Sequence, residues 1–293
     1  MKPLPHHPPA AIRPGPVGPR PGLLETKRLA ALAARFGGLH LDPEKTEFFG
    51  HRLNKRLMAQ GLDDFRDYCD FLESPAGRSE LRLFIEAMTT HTTSFFREAK
   101  HFEWLETQGW AELIAGGAGL EWPLRIWSAA CSNGAELFSA LISLKEHEER
   151  HGVHLRIEGV GTDLSQAILK SAARAVYTGA EIKGLSEARR RRFILRARNG
   201  ADMFRIVPDL RRLTSWTWLN LTKMGNDGPG RADLVMLRNV LIYFDPPTRD
   251  RAVAALCARL APGGILMTGH SETLSKLPAG MVQAGASIYR KEG

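Results

Sequence analysis

The first turn that could do chemistry is Cys131-Ser132-Asn133-Gly134, which follows the short apolar run Arg125–Cys131 and precedes Glu136. A dinucleotide-binding turn needs GxGxxG, because its backbone must lie against a pyrophosphate at a helix N-terminus. Here there is one glycine, and Glu136 in the first helical turn would repel a phosphate. A ligand bearing an ammonium or sulfonium suits that carboxylate better, and S-adenosylmethionine is such a ligand. Asp163 closes the next apolar run, where an acidic side chain can accept both hydroxyls of a ribose. The same position reads equally well as the N-cap of a helix beginning at Ser165. Asn220-Leu221 and Arg238-Asn239 end two further segments, and Thr93-Ser94-Phe95-Phe96-Arg97 lies upstream.

The elements that must position these residues follow from periodicity. From Leu23 to Phe96 the spacing is helical, with Leu29, Leu32, Ala33 and Phe36 on one face and Gly37-Gly38 as the stop. Asp42-Pro43 reads as an N-cap with a first-turn proline. The next helix carries Phe48, Phe49, Leu53 and Leu57 inward, leaving Lys45, Arg52, Lys55 and Arg56 for an exposed face. Two more helices run through Phe65–Leu72 and Ser79–Met88. Beyond Trp122-Pro123 the pattern changes. Strands at Arg125–Cys131, His154–Asp163, Ala232–Leu237 and Gly264–Thr268 alternate with helices at Ala135–Arg150, Ser165–Tyr177 and Pro247–Leu260. Such alternation predicts a parallel sheet covered by helices, with its ligand beyond the carboxyl ends of the central strands. A closing hairpin is expected at 281–290. Residues 178–192 read as a charged helix ending in four arginines, followed by a hairpin around Asn199-Gly200. An inserted β-subdomain over about 178–212 is the expectation.

Bulk properties set the outer limits. The apolar fraction of 43% and charged fraction of 25% are those of a globular protein. No stretch reaches the roughly 18 apolar residues needed to span a bilayer, and the N-terminus has no apolar signal core. Residues 1–22 hold eight of the seventeen prolines and are expected to be a disordered tail, with His6 and His7 solvated. Cys69, Cys131 and Cys257 show no CxxC spacing, so neither a disulfide framework nor a metal site is expected. The net charge of +8 and pI of 9.6 suit an anionic partner. Nucleic acid is disfavoured, since no zinc-finger or aromatic-basic RNA-binding pattern is present.

Several segments, in order, resemble the chemotaxis receptor glutamate methyltransferases, the CheR family. They are Thr89–Phe102 (TTHTTSFFREAKHF), Arg125–Ser139 (RIWSAACSNGAELFS), Thr162-Asp163, Pro208–Arg211 (PDLR), Leu219–Leu221 (LNL), Leu237–Asp245 (LRNVLIYFD) and Pro262–Glu272 (PGGILMTGHSE). FFR and RNVLIYFD are the most specific. The resemblance implies an α/β chain: a Rossmann-like S-adenosylmethionine methyltransferase sheet (97–293), a helical N-terminal domain (23–96) and a small inserted antiparallel β-subdomain. It implies a cofactor site of His91, Thr93, Arg97, Glu136, Asp163, Asn220, Leu221, Leu237, Arg238 and Asn239. It also implies catalytic roles for Arg97, Arg238 and Tyr243, the last near the transferring methyl. Arg52, Lys55 and Arg56 would face the cytoplasmic helices of methyl-accepting receptors. A receptor-tail peptide at the β-subdomain, a cytoplasmic location and recruitment to receptor arrays follow from the same likeness. The chain departs from the pattern at His91, where asparagine is usual, and at Ala135-Glu136-Leu137-Phe138-Ser139, where the family commonly has EEPYS.

The implied product is a methyl ester of a receptor glutamate, with S-adenosylhomocysteine released. Two alternatives stay open at this point: a methyltransferase of the same fold acting on a protein outside chemotaxis, and a non-catalytic scaffold that binds the cofactor.

Overall fold

The computed structural model describes residues 18–225 and 228–293, so most of the proline-rich segment 1–22, with His6 and His7, lies outside the described residues. The chain divides into two compact units. One contains 18–32 and Asp42–Met88, the other Ala33–Leu41 and Thr89–Gly293. The boundary expected at 96/97 lies instead at 88/89, and Thr89–Phe96 runs with the sheet. No described helix is long and apolar enough to cross a membrane.

The helical unit is built from most of α1 (Leu23–Gly37), with α2 (Thr46–Ala59), α3 (Phe65–Glu73) and α4 (Arg78–Met88). Its core is Leu29, Leu32, Phe49, Leu53, Leu57, Phe65, Tyr68, Cys69, Leu72, Phe84, Ile85 and Met88, the apolar positions at helical spacing. Asp64 caps α3 by accepting from the Asp67 amide at 2.9 Å. Asp42, expected as an N-cap, instead folds a turn by accepting from the Glu44 amide, and α2 begins four residues later, at Thr46, without a side-chain cap. One carboxylate is buried here. Glu80, 2% exposed, accepts from Arg56 at 2.8 and 2.5 Å, from Gln60 at 2.8 Å and from Tyr68 at 2.9 Å.

The other unit holds a seven-stranded sheet in the order β6-β2-β1-β7-β8-β10-β9. Its strands are β1 (Leu124–Ala129), β2 (Ile157–Asp163), β6 (Thr214–Trp218), β7 (Ala232–Leu237), β8 (Leu260–Thr268), β9 (Met281–Gly285) and β10 (Ile288–Lys291). The first five run parallel, and β10 and β9 close one edge antiparallel. The chain winds outward from β1 through β2 to β6 on one side, and from β7 through β8 on the other. The crevice is therefore at the carboxyl ends of β1 and β7. The helices of this unit are α5 (Ala99–Trp104), α6 (Trp110–Ala115), α7 (Ala135–His151), α8 (Gln166–Arg174), α9 (Glu187–Phe193), α10 (Pro208–Arg211) and α11 (Pro246–Ala258). A one-turn π-bulge, Leu105–Gly109, joins α5 to α6.

A separate antiparallel sheet, β3-β5-β4, is inserted after α8. It comprises β3 (Val176–Thr178), β4 (Ile194–Arg196) and β5 (Met203–Ile206). The hairpin around Asn199-Gly200 pairs as expected, with Ile194 opposite Ile206. Two assignments differ. The helix expected to run to Tyr177 ends at Arg174, because Ala175 turns left-handed at φ 51° and sends the chain into β3. The charged stretch after β3 is a short 3-10 turn, Glu181–Gly184, and then α9, capped by Ser186. Strand β6 and the helix through α5 and α6 carried no expectation. Thr214-Ser215-Trp216-Thr217-Trp218 is a half-exposed edge strand, so it lacks the apolar run that marks its neighbours.

Truncating Glu80 leaves the Arg56 guanidinium and the Tyr68 hydroxyl facing an empty, water-poor space. Glu80→Ala is expected to destabilise the helical unit by about 3 kcal/mol, and Glu80→Gln by less, read as a shift of the urea midpoint at unchanged slope.

Candidate active site

The turn after β1 is held in a conformation that few residues adopt. Ala130, Ser132 and Gly134 all have positive φ, at 64°, 51° and 85°, and two of them carry a side chain. A Cβ on Gly134 would run into the ring of Trp216. Hydrogen bonds from distant segments hold the turn. The Ser132 amide donates to Asp163 Oδ2 at 2.9 Å, and its hydroxyl donates to the His91 carbonyl at 2.8 Å. Tyr177 donates to the Asn133 carbonyl at 2.9 Å, and Asn133 Nδ2 donates to Glu181 at 3.1 Å. With the Ser132 amide committed to a carboxylate, this is no phosphate cradle.

Asp163, 6% exposed, accepts from the Ser132 amide with one oxygen and from the Ser165 amide with the other, at 3.0 Å. The N-cap of α8 is Ser165, which accepts from the Ile168 amide; Asp163 braces two loops instead. Burial pushes its carboxyl up, against the pull of the amides and of His91. His91 Nε2 lies 2.9 Å from the Thr89 hydroxyl.

The centre of the site is Arg238, whose side chain is 2% exposed at the carboxyl end of β7. Nη1 donates to Glu136 Oε2 at 3.1 Å, and Nη2 donates to Glu98 Oε2 at 3.0 Å and to the Arg97 carbonyl. Glu136 also accepts from Ser128 at 2.7 Å. Burial pushes Glu136 up despite Arg238 and Ser128. For Glu98 burial works the same way, but Arg238 and Asn239 outweigh it and hold that carboxyl below the usual range. Asn239, left-handed at φ 60°, donates its side-chain amide to Glu98 Oε1 at 3.2 Å and its backbone amide to Glu272 at 2.7 Å. Glu272, 5% exposed, further accepts from the Gly269 amide at 2.9 Å and the Ile242 amide at 3.2 Å, fixing the loops after β7 and β8.

The approach segment is pinned as firmly. Phe95 is buried edge-on against Tyr177 at 4.9 Å, and the Phe96 amide donates to Ser139 at 2.9 Å. Phe96 and Glu98 both have positive φ, so Arg97 projects from a strained corner. Its guanidinium is half-buried and donates to the Thr92 carbonyl at 2.9 Å; it has no carboxylate partner among the described residues. The Tyr243 hydroxyl makes no hydrogen bond to a described residue, while its carbonyl accepts from the His40 amide at 2.6 Å.

The structure thus brings Glu136, Arg238 and Asn239 into one hydrogen-bonded group through Glu98, and Asp163 and His91 into a second one through Ser132, with Arg97 on the margin of the first. Asn220 is spent on its own turn, accepting from Thr222 and donating to the Phe36 carbonyl at 3.1 Å. Leu221 and Leu237 lie in the apolar cluster under that turn. Thr93 is half-buried on the approach segment. Arg52, Lys55 and Arg56 belong to the helical unit. Lys55 is exposed, Arg52 donates to the Ala87 carbonyl, and Arg56 is held by Glu80. Ser132 lies in the turn the sequence singles out, whereas Glu98, Glu272 and Ser128 carry no expectation of their own. Glu98 and Glu272 stand inside the quoted FFRE and HSE segments, but an acidic residue beside a motif carries no signal of its own.

Glu98, Glu136 and Arg238 sum to one negative charge, with Asp163 adding another, at the mouth of β1 and β7. Arg238 Nε is buried without a partner. Fixed carboxylate acceptors and one spare guanidinium N–H fit a ligand with an ammonium, a sulfonium and a carboxylate.

The family model described as "CheR methyltransferase, SAM binding domain" matches residues 91–289, and "CheR methyltransferase, all-alpha domain" matches residues 25–89. The chain belongs to the CheR methyltransferase family. Chemotaxis protein methyltransferase 2 of Pseudomonas aeruginosa is 33% identical over 256 residues, covering 87% of this chain and 88% of that one. The chemotaxis protein methyltransferase of Salmonella typhimurium is 32% identical over 264 residues, covering 90% and 88%. As a CheR methyltransferase the chain uses S-adenosylmethionine, so a cationic cofactor without a pyrophosphate, expected from the single-glycine turn, is the one it takes.

Removing the Arg238 charge leaves two carboxylates buried beside each other without a cation. Arg238→Met in this CheR protein is expected to lower the stability of the sheet unit by about 3 kcal/mol. Adding Glu98→Gln should restore part of the loss, a coupling visible in a double-mutant cycle of urea unfolding.

Proposed function

We propose that this CheR methyltransferase esterifies glutamate side chains on the cytoplasmic helices of methyl-accepting chemotaxis receptors. The observation that carries the reading is Arg97: a half-buried guanidinium with no carboxylate partner among the described residues, presented from a strained corner beside the carboxylates Glu98 and Glu136. An exposed glutamate, with a pKa of about 4.3, is already an anionic nucleophile at neutral pH. Bound S-adenosylmethionine supplies an electrophilic methyl and its own leaving group. What remains for the protein is placement of carboxylate oxygen, methyl carbon and sulfur in line. Glu136 and Arg238 hold the amino-acid end of the cofactor, Asp163 the ribose, and His91, Thr93, Asn220, Leu221, Leu237 and Asn239 border it. Arg97 draws in the acceptor carboxylate, and the Tyr243 hydroxyl orients it. Too strong a grip on the ground-state carboxylate would slow transfer, and Arg97 is still open to solvent, which tempers its pull.

In this reading the helical unit meets the receptor through Arg52 and Lys55. Arg56, which the sequence grouped with them, acts by holding Glu80. A receptor-tail peptide docks at the sheet β3-β5-β4, and the protein works in the cytoplasm at receptor arrays. The names of the chemotaxis methyltransferases to which the chain is similar support the acceptor class.

Incubation with methyl-labelled cofactor and receptor cytoplasmic fragments should transfer label that alkali releases as methanol. Alkali-stable label would point to nitrogen and sink the ester assignment. Arg97→Ala should lower kcat/KM for the receptor about 30-fold and Tyr243→Phe about 5-fold, the range for losing one charge-assisted or one neutral hydrogen bond. If both kept normal turnover at saturating cofactor, the assigned centre would be wrong. Glu136→Gln should weaken S-adenosylhomocysteine binding by about ten-fold or more in calorimetry.

A further inference from the structure

Beside the Glu98–Arg238 pair lies a cluster that the methyl-transfer reading does not use. Glu98 immediately precedes α5, His101 stands on the first turn of that helix, and His270 follows β8 in the loop tied down by Glu272. Their ligand-type atoms all lie within 4.8 Å of one another. His101 is 1% exposed, and neither of its ring nitrogens makes a hydrogen bond of ordinary geometry. His101 Nδ1 is 3.5 Å from Glu98 Oε2, and the two imidazole rings meet edge to face at 4.8 Å.

A buried imidazole with no hydrogen bond of ordinary geometry is rare, and the contacts His101 has are loose ones, to the Glu98 carboxylate and the Ala286 backbone. Here one nitrogen faces a carboxylate, and the neighbouring ring can supply another nitrogen. We propose that Glu98, His101 and His270 form a binding site for a borderline-soft divalent cation of the zinc class.

The chemistry of the donors selects the ion. Two imidazoles and one carboxylate suit zinc, nickel or copper, whereas magnesium and calcium require all-oxygen shells. Zinc bonds of about 2.0–2.2 Å put tetrahedral donors roughly 3.3 Å apart. The Glu98–His101 separation already matches. Closing the widest gap asks roughly 1.5 Å of the His270 ring on that same bond geometry, a shift that rotation of this exposed side chain supplies without moving the loop. The fourth position is left for water. The charges facing the site are Arg238 against Glu98, Glu136 and Glu272. Arg238 and the ion share Glu98 Oε2, so an occupied site loosens that ion pair, and its affinity falls below that of a structural zinc centre. Metal and cofactor sites are thereby coupled through one carboxylate. The cysteine spacing had pointed away from any metal. These histidines are far apart in sequence, so no spacing motif could have announced them.

The test is Co²⁺ titration of the full chain, followed by its visible d–d absorption and back-displacement by Zn²⁺. Two other histidine pairs must first be silenced: His6-His7, and His147 with His151 on α7, whose rings lie 4.3 Å apart. In a background of His6→Ala, His7→Ala and His151→Ala, one equivalent of Co²⁺ is expected to bind with tetrahedral absorption. His270→Ala, a surface change that leaves the core intact, should weaken it at least ten-fold, as should His101→Gln, with folding checked by circular dichroism. Loss of the absorption in the background protein, or affinity within two-fold of it after His270→Ala, would overturn the proposal. The readout does not involve methyl transfer, so it stands or falls apart from the acceptor assignment.

Discussion

The side chain on which the site depends is Arg238. A guanidinium almost wholly removed from water must recover its solvation from fixed partners, and a single carboxylate seldom suffices. Here Glu98 and Glu136 flank it and the Arg97 carbonyl completes the set. These partners come from the approach segment and from the first turn of α7, so one buried cation ties β7, α7 and the approach segment together. Much of the unusual backbone nearby follows. Phe96, Glu98 and Asn239 take left-handed conformations so that carbonyls, carboxylates and amides converge on it.

Two arginines therefore divide the work. Arg238 is neutralised and immobile, which suits a group that shapes a cofactor site without attracting an acceptor on its own account. Arg97 projects from the same corner, half in solvent, and among the described residues its guanidinium has a carbonyl partner and no carboxylate.

The strongly basic composition is a poor guide to partners for the same reason. Arg56 is held by buried Glu80, Arg189 by Glu106 and Glu146, and Arg192 by Glu149. Arg189 also lies over the Phe96 ring at 3.8 Å, so part of the four-arginine run stabilises the approach segment. The forty lysines and arginines thus include many that are internally paired, and only a structure shows which of them are on offer to a partner.

The sequence by itself determined the fold class, the alternation of the sheet's core strands with helices and the presence of a single-glycine turn with an acid after it. These are local properties: apolar period, turn chemistry and the pairing of a charge with a helix N-terminus. It also placed the hairpin of the β-subdomain. Strand β6 and the end of α8 escaped it, because an edge strand carries no apolar run and a left-handed alanine leaves no mark in sequence. Tertiary structure decided the rest. Only folding brings Arg238 against Glu136, 102 residues away, and Glu98, 140 away, spends Asp163 on two amides, and sets His101 beside His270. The reason is physical. Burial and pairing set the state of a charged side chain, and both belong to the packed chain and not to the residue's neighbours in sequence.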